Sequence, residues 1–280
     1  MKKLLTLVIL SVLLAFIGCN GTQGPARPQG TANSEKIYVW GYVTSTGDTY
    51  VGVGLLPVVP WVTVNQETLD IDNLDGGWVE YEDSILVSPG DSLYLKVDYT
   101  IGIATASSRV PGVFEITSHD TSWMVRIPVR SDFTVSWSTS SYADFYLVEF
   151  YIDYEYRNTL GEYRSFNFSK DTCVTSTSIT FPASQLFPAD LVSITYSYGD
   201  FDVWAINGPI LEPGSEGNVT GDGSGFFLGS SYGGDLDILI EGAKEKARKE
   251  LSKRELMKKL LEKARKIGPN YEALREALRR

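Results

Sequence analysis

The sequence predicts an all-β protein, two sandwich-type domains in series followed by a short C-terminal helical tail. Three observations carry this. Tyr, Phe and Trp number 16, 12 and 6 beside abundant Thr, Ser and Val, residue types that suit a pleated, half-buried surface. From Ile37 to Ile206 apolar residues recur with period two, as half-buried strands require. After Glu241 the spacing changes to three and four, which is the period of an amphipathic helix.

Taken in order, the chain starts with a leader. Lys2 and Lys3 precede an uncharged apolar run, Leu4–Ile17, that ends at the small residue Gly18 and then Cys19. A positive start, a short apolar run and a small residue at the cut describe a secretory signal peptide over residues 1–18. The run is shorter than the roughly 20 residues of a membrane-spanning helix. Phe16-Ile17-Gly18-Cys19 resembles the lipobox of bacterial lipoproteins. That resemblance implies cleavage after Gly18, a lipid on Cys19, and a mature chain outside the cytoplasm, anchored to the bacterial membrane through its first residue. Asn20 stands where an Asp would retain some lipoproteins at the inner membrane, so the resemblance implies the outer membrane in an organism that has one. Residues 19–35 are Gly, Pro, Gln, Asn and Thr without apolar periodicity, a flexible polar tether.

Residues 36–127 read as the first sandwich. Tyr38, Trp40 and Tyr42 alternate with Val39, Gly41 and Val43, both sets apolar enough for a buried strand. Turn signals stand at Ser45–Asp48, Asp75–Gly77 and Ser88–Asp91. Leu93, Leu95, Val97 and Tyr99 face inward while Tyr94, Lys96 and Asp98 face out. Pro57 and Pro60 confine their segment to an edge or a connection.

Residues 128–240 read as the second. Phe133, Val135 and Trp137 point inward on one strand. On the long strand from Phe145 to Tyr156, Tyr146, Val148, Phe150, Ile152 and Tyr154 share a face opposite Glu149, Asp153 and Glu155. Further strands are expected at 177–181, 191–198 and 200–206. Val135-Ser-Trp137, Phe145-Tyr-Leu-Val148, Thr177–Phe181 and Asp202-Val-Trp-Ala-Ile-Asn207 together resemble the core strands of a fibronectin type III domain over about 128–210, with 157–173 as an insertion. The resemblance implies an immunoglobulin-like or fibronectin-like sandwich serving as an interaction or spacer module, and brings no catalytic residues. The glycine-rich stretch 213–234 is expected to form a turn-rich hairpin whose Phe226-Phe-Leu228 packs back on the domain.

In the tail, 241–280, Leu256, Met257, Leu260, Leu261, Ala264 and Ile267 form an apolar stripe. Ser252-Lys-Arg-Glu255 is a capping box and Gly268-Pro269 a stop. The tail carries 14 Lys and Arg against 7 Asp and Glu, whereas residues 20–240 carry 9 against 28. An acidic body argues against nucleic acid as a partner. The basic tail suits a membrane, a partner, or the acidic body itself.

Chemistry is sparse. His119 is the one histidine, so no histidine cluster can bind metal, and no G-x-S-x-G elbow exists to join it in a triad. Asp70–Gly77 has acids at offsets 0, 2 and 5 and Tyr81 at the twelfth position, unlike a calcium loop, so a turn is expected there. No catalytic residue, metal ligand or cofactor is assigned, and ligand-binding residues are unassigned. Two cysteines occur, and acylation of Cys19 would leave Cys173 without an intramolecular partner. The expected protein is a lipid-anchored, non-enzymatic interaction or structural module of the cell envelope, meeting the membrane through its lipid and an envelope protein or glycan through its body. Carbohydrate binding is the alternative, with Tyr94, Tyr151 and Tyr156 as outward aromatics. A β-sandwich hydrolase would need two facing carboxylates in a cleft, and the acids here alternate onto strand exteriors.

Overall fold

Alternation becomes strand wherever the sequence supplies it. On Ser92–Tyr99, Leu93, Leu95, Val97 and Tyr99 are buried while Tyr94 and Lys96 are exposed. Phe133, Val135 and Trp137 are likewise buried. The computed structural model describes residues 37–54, 59–75, 78–100, 102–121, 124–209 and 217–245. The expected leader, the tether up to residue 35 and the helices of the tail lie outside them.

The first strands are β1 Ile37–Thr44, β2 Asp48–Gly54, β3 Trp61–Val64, β4 Glu67–Thr68, β5 Ile71–Asp75 and β6 Trp78–Ser84. They continue as β7 Ser92–Tyr99, β8 Gly102–Arg109, β9 Val125–Ile127 and β10 Phe133–Ser136. Then come β11 Phe145–Asn158, β12 Tyr163–Val174, β13 Ser178–Phe181 and a single helical turn, α1 Ala183–Leu186. β14 Leu191–Asn207, β15 Thr220–Gly221, β16 Gly223–Ile240 and β17 Lys244–Glu245 complete the order.

One long sheet runs through the molecule in the order β12-β11-β14-β16-β1-β2-β6-β5, with β9 and β17 added beside β16 and β14. The sheet β15-β8-β7-β3-β4 covers one end of it and the pair β10-β13 the other. Under the first cover, Val39, Val51 and Val53 of the long sheet meet Val62, Leu95 and Val97. Under the second, Phe150, Ile152, Phe201 and Ile238 meet Phe133, Val135, Phe181 and Leu186. Phe150 is the hub there, with ring centroids 4.3 Å from Phe181 and 5.5 Å from Phe133. Each such side chain contributes about 1.5–3 kcal/mol by burial.

The order β16-β14-β11-β12 facing β10-β13 is that of strands G-F-C-C′ facing B-E in an immunoglobulin-type sandwich. The fold is thus predominantly β and sandwich-like. Four expectations need correction. The stretch 157–173 is no insertion: β12 pairs with β11 from Tyr146↔Val174 to Arg157↔Tyr163. Most of the glycine-rich stretch is no hairpin but part of the 18-residue strand β16. Asp70–Gly77 holds the edge strand β5, paired with β6, where a turn was expected. Finally, the boundary at 127/128 separates neither two sheets nor two cores: Phe114, Ile116 and Ile127 before it belong to the second core. β1 pairs in parallel with the first part of β16, and β14 pairs with its later part. Val219 and Phe227 of the second block belong to the first core.

Glycine lets β16 do this, because other backbone crosses it closely. A Cβ at Gly229 would stand within bonding range of the Arg109 carbonyl oxygen, and one at Gly233 would enter the Phe114 ring. Gly229→Ala is therefore expected to lower stability by about 1–3 kcal/mol, the usual effect of overpacking. Urea unfolding checks this; an unchanged midpoint would remove the crossing from the account of β16.

Candidate functional site

Both covers lie on the same side of the long sheet, and a separate cluster occupies its other face. Register places its residues in rows, since partners across paired strands point the same way. At the β1 end, Trp40 aligns with Phe226 and Gly52, and Tyr42 with Leu228 and Tyr50. Trp40 meets Tyr42 at 5.5 Å and Tyr50 at 5.8 Å, both edge-on. Tyr42 and Tyr50 stack at 5.8 Å. Glu82 and Glu80 continue these rows on β6. Toward β12, the row Tyr232–Trp204–Leu147–Cys173 follows.

The next row is acidic. Asp235, Asp202, Glu149 and Asp171 stand side by side across four strands. Beyond them come Asp237, Asp200 and Tyr151, then Tyr198 with Asp153. None of these acidic rows contains a lysine or arginine. Like charges directly opposite one another destabilise a sheet, so this row is under strain unless protons or cations relieve it.

The titration behaviour reflects that. Burial, with repulsion from Asp171, Asp202 and Asp200, raises the Glu149 pKa well above the usual carboxylate range. Burial also pushes Asp202 up to about 7, with Asp200, Asp235 and Asp237 adding to the rise. The Tyr232 hydroxyl opposes this by donating to Asp202 at 2.9 Å, and it also lies 3.0 Å from Asp235. In the aromatic rows, burial raises Tyr38 to about 12 and Tyr50 further. Tyr42 Oη, Trp204 Nε1 and Glu149 Oε1 are shut off from solvent without a hydrogen-bond partner.

Of the aromatics expected to face outward, Tyr94 is exposed on β7. Tyr151 lies half-buried in the acidic rows, 6.3 Å from Tyr198. Tyr156 is buried in the second core, its hydroxyl donating to Asp190 at 3.3 Å; it has the same parity as Tyr154 and so the same face. The structure does not bring these three together. His119 sits half-buried against the Phe133 ring, its Nδ1 2.7 Å from Ser118 Oγ, and burial lowers its pKa. Among the described residues no group of three or more His, Cys, Asp or Glu side chains is placed to hold a metal ion. Cys173 is half-buried on β12, paired with Leu147 of β11. The acidic row itself was missed as a unit. Its signal was the i, i+2 spacing of Asp200 with Asp202 and of Asp235 with Asp237.

No protein-family model matches the chain, and no curated protein matches it. Among solved structures, the first two immunoglobulin domains of DIP-gamma match at 8% identity and a TM-score of 0.20, over 73% of this chain and 97% of that one. A DUF4785 family protein of Legionella pneumophila matches at 12% and 0.21, over 59% of this chain and 51%, about half, of its own length. The ectodomain of mouse nectin-like molecule 4 matches at 13% and 0.20, over 76% and 67%. At these scores the sandwich assignment stands on the chain's own strand order and cores.

The raised carboxylates give a signed prediction. Glu149 and Asp202 bind protons more tightly folded than unfolded, so the stability they contribute is full below their unfolded values. For Asp202 it is lost as pH rises through about 7. Urea midpoints measured from about pH 4 to pH 8 should fall in the native protein and fall less in Glu149→Gln/Asp202→Asn. Equal slopes would show that the row carries no linked protons.

Proposed function

We propose that the chain is a non-enzymatic interaction module of a bacterial envelope, held to the membrane by a lipid on Cys19. The observation that supports this best is an ordering along the chain. A leader with Lys2, Lys3 and an apolar run ends at Gly18-Cys19, a polar tether follows, and the first strand begins at Ile37. The sandwich architecture is compatible with many functions, and it is the anchor and tether that favour a displayed module. Cleavage after Gly18 makes Cys19 the first residue of the mature protein, outside the cytoplasm.

A thioether to lipid occupies the sulfur of Cys19, and Cys173 is the other cysteine of the sequence. The lipoprotein reading therefore requires Cys173 to be a thiol in the mature chain. Expression in a bacterium, followed by intact mass and detergent partition of wild type against Cys19→Ala, tests this. A lipid-sized mass gain, detergent partition that the variant loses, and an alkylatable Cys173 are expected. Two soluble forms, with the wild type at the mass of the oxidised and unlipidated chain, would sink the anchor and leave a secreted module.

A carbohydrate-binding reading has one observation in its favour, on the outward face of the five-stranded sheet. Trp61 and Tyr94 are each 62% exposed there. Thr63, Lys96, Thr105 and Thr220 align across that face between them. Trp61 lies opposite Asp98, four residues along β7 from Tyr94, so the two rings are about 13 Å apart along the strand. Aromatic faces beside hydroxyls suit a sugar chain. Affinity electrophoresis through soluble polysaccharides tests this: Trp61→Ala/Tyr94→Ala should abolish any retardation shown by wild type. Retardation of neither protein, or of both alike, counts against a glycan site at this face.

A further inference from the structure

Seven apolar residues on the face of the long sheet away from both covers, Tyr42, Phe145, Leu147, Trp204, Ile206, Phe226 and Leu228, are each 6% exposed or less. Among the described residues, every member of this cluster, with the half-buried residues packed against it, comes from the long sheet itself. Tyr42 Oη, Trp204 Nε1 and Glu149 Oε1 are also cut off from water and lack partners, and such groups destabilise a fold unless something reaches them. Beside them stand the carboxylates of Asp171, Glu149, Asp202 and Asp235, adjacent across four strands.

We propose that the basic C-terminal segment, residues 246–280, docks on this face, its lysines and arginines over the carboxylate rows and its apolar stripe against the aromatic rows. Charge is the first argument. The segment holds 13 Lys and Arg against 5 Asp and Glu, a net +8, and it faces rows that contain acids and no bases. Position is the second. β17, Lys244–Glu245, is hydrogen-bonded in parallel to Tyr196–Ser197 of β14. Tyr196 is aligned with Glu155, at the acidic end of the same face, so the segment leaves the body where its counter-charges begin. Length is the third. From Tyr196 to Ile206 the face runs about 34 Å along β14, and a helix over Ser252–Ile267 would be about 24 Å long. A cationic stem beside an apolar stripe suits this surface, because lysine and arginine cover apolar groups with their methylenes while their charged ends pair.

The test uses the mature full-length chain, so the leader cannot be the occupant. Zero-length carbodiimide coupling is run on a mixture of isotopically light and heavy protein, with amide hydrogen exchange in parallel. Cross-links within one copy from Lys258, Lys259 or Lys263 to Asp200, Asp202, Asp235 or Asp237 are expected, with amide protection over 256–264. Asp200→Asn/Asp235→Asn should lose both signals, and Glu67→Gln/Glu115→Gln should keep them. Lys258→Glu/Lys259→Glu/Lys263→Glu, which leaves the sheet untouched, should also lose the protection. Cross-links only between copies would give the face to a second molecule and overturn the proposal. So would coupling to Glu67 and Glu115 as frequent as to the face, or protection that appears only with vesicles of anionic phospholipid.

Discussion

The backbone ladder of Gly223–Ile240 does two jobs in succession. Its first part donates and accepts in parallel with Ile37–Thr44, and its later part pairs antiparallel with the strand ending at Asn207. Because both ladders belong to one strand, neither core can shift without the other. Between Val203 and Trp204 the register skips Gly233, and the inward set of the strand passes from odd, Phe227 in the first core, to even, Leu236, Ile238 and Ile240 in the second. Glycine at the crossing points is the condition for all this, since the chain that packs over β16 approaches its backbone and not merely its side chains. Asn207 secures the same junction: its side-chain oxygen accepts from the Arg109 amide at 2.8 Å, while its amide nitrogen donates to the Tyr142 carbonyl at 2.8 Å.

One consequence follows for the surface. Two covers on the same side of a single sheet leave the opposite side continuous from β5 to β12, far wider than the exposed face of a lone sandwich. Aromatic and carboxylate rows that would belong to different domains then become neighbours: Trp204 and Leu147 lie one row from Asp202 and Glu149. The shared strand creates the candidate surface as well as the fold.

The individual strands were legible because alternation is local. Leu93 to Tyr99 and Tyr146 to Tyr154 each declare an inner face within a few residues. The long sheet was not legible, because the pairing of Ile37 with Gly223 spans nearly the whole body and has no local signature. Gly and Ser in Gly223–Gly234 spoke for turns, since glycine weakens strands in general. Here the close approach of Arg109 and Phe114 outweighs that preference. Phe145 and Leu147 show the same limit: they sit on the face assigned to charge, yet both are buried. The residues of the acidic row were legible one strand at a time, and their convergence depended on the register of four.

That convergence sets the chemistry of the face. Carboxylates on adjacent strands, about 4.8 Å apart, repel more strongly where burial removes the water that would screen them. Protons provide one relief, and the raised values of Glu149 and Asp202 show where they would sit. Cations provide the other, without requiring neutral acids. The two compete: as rising pH removes protons, the row becomes a stronger site for positive charge, and as pH falls it releases that charge. The same four strands therefore link the ionisation of the sheet to whatever basic segment covers it, and the strength of that link is set by how completely the neighbouring Trp204 and Leu147 exclude water.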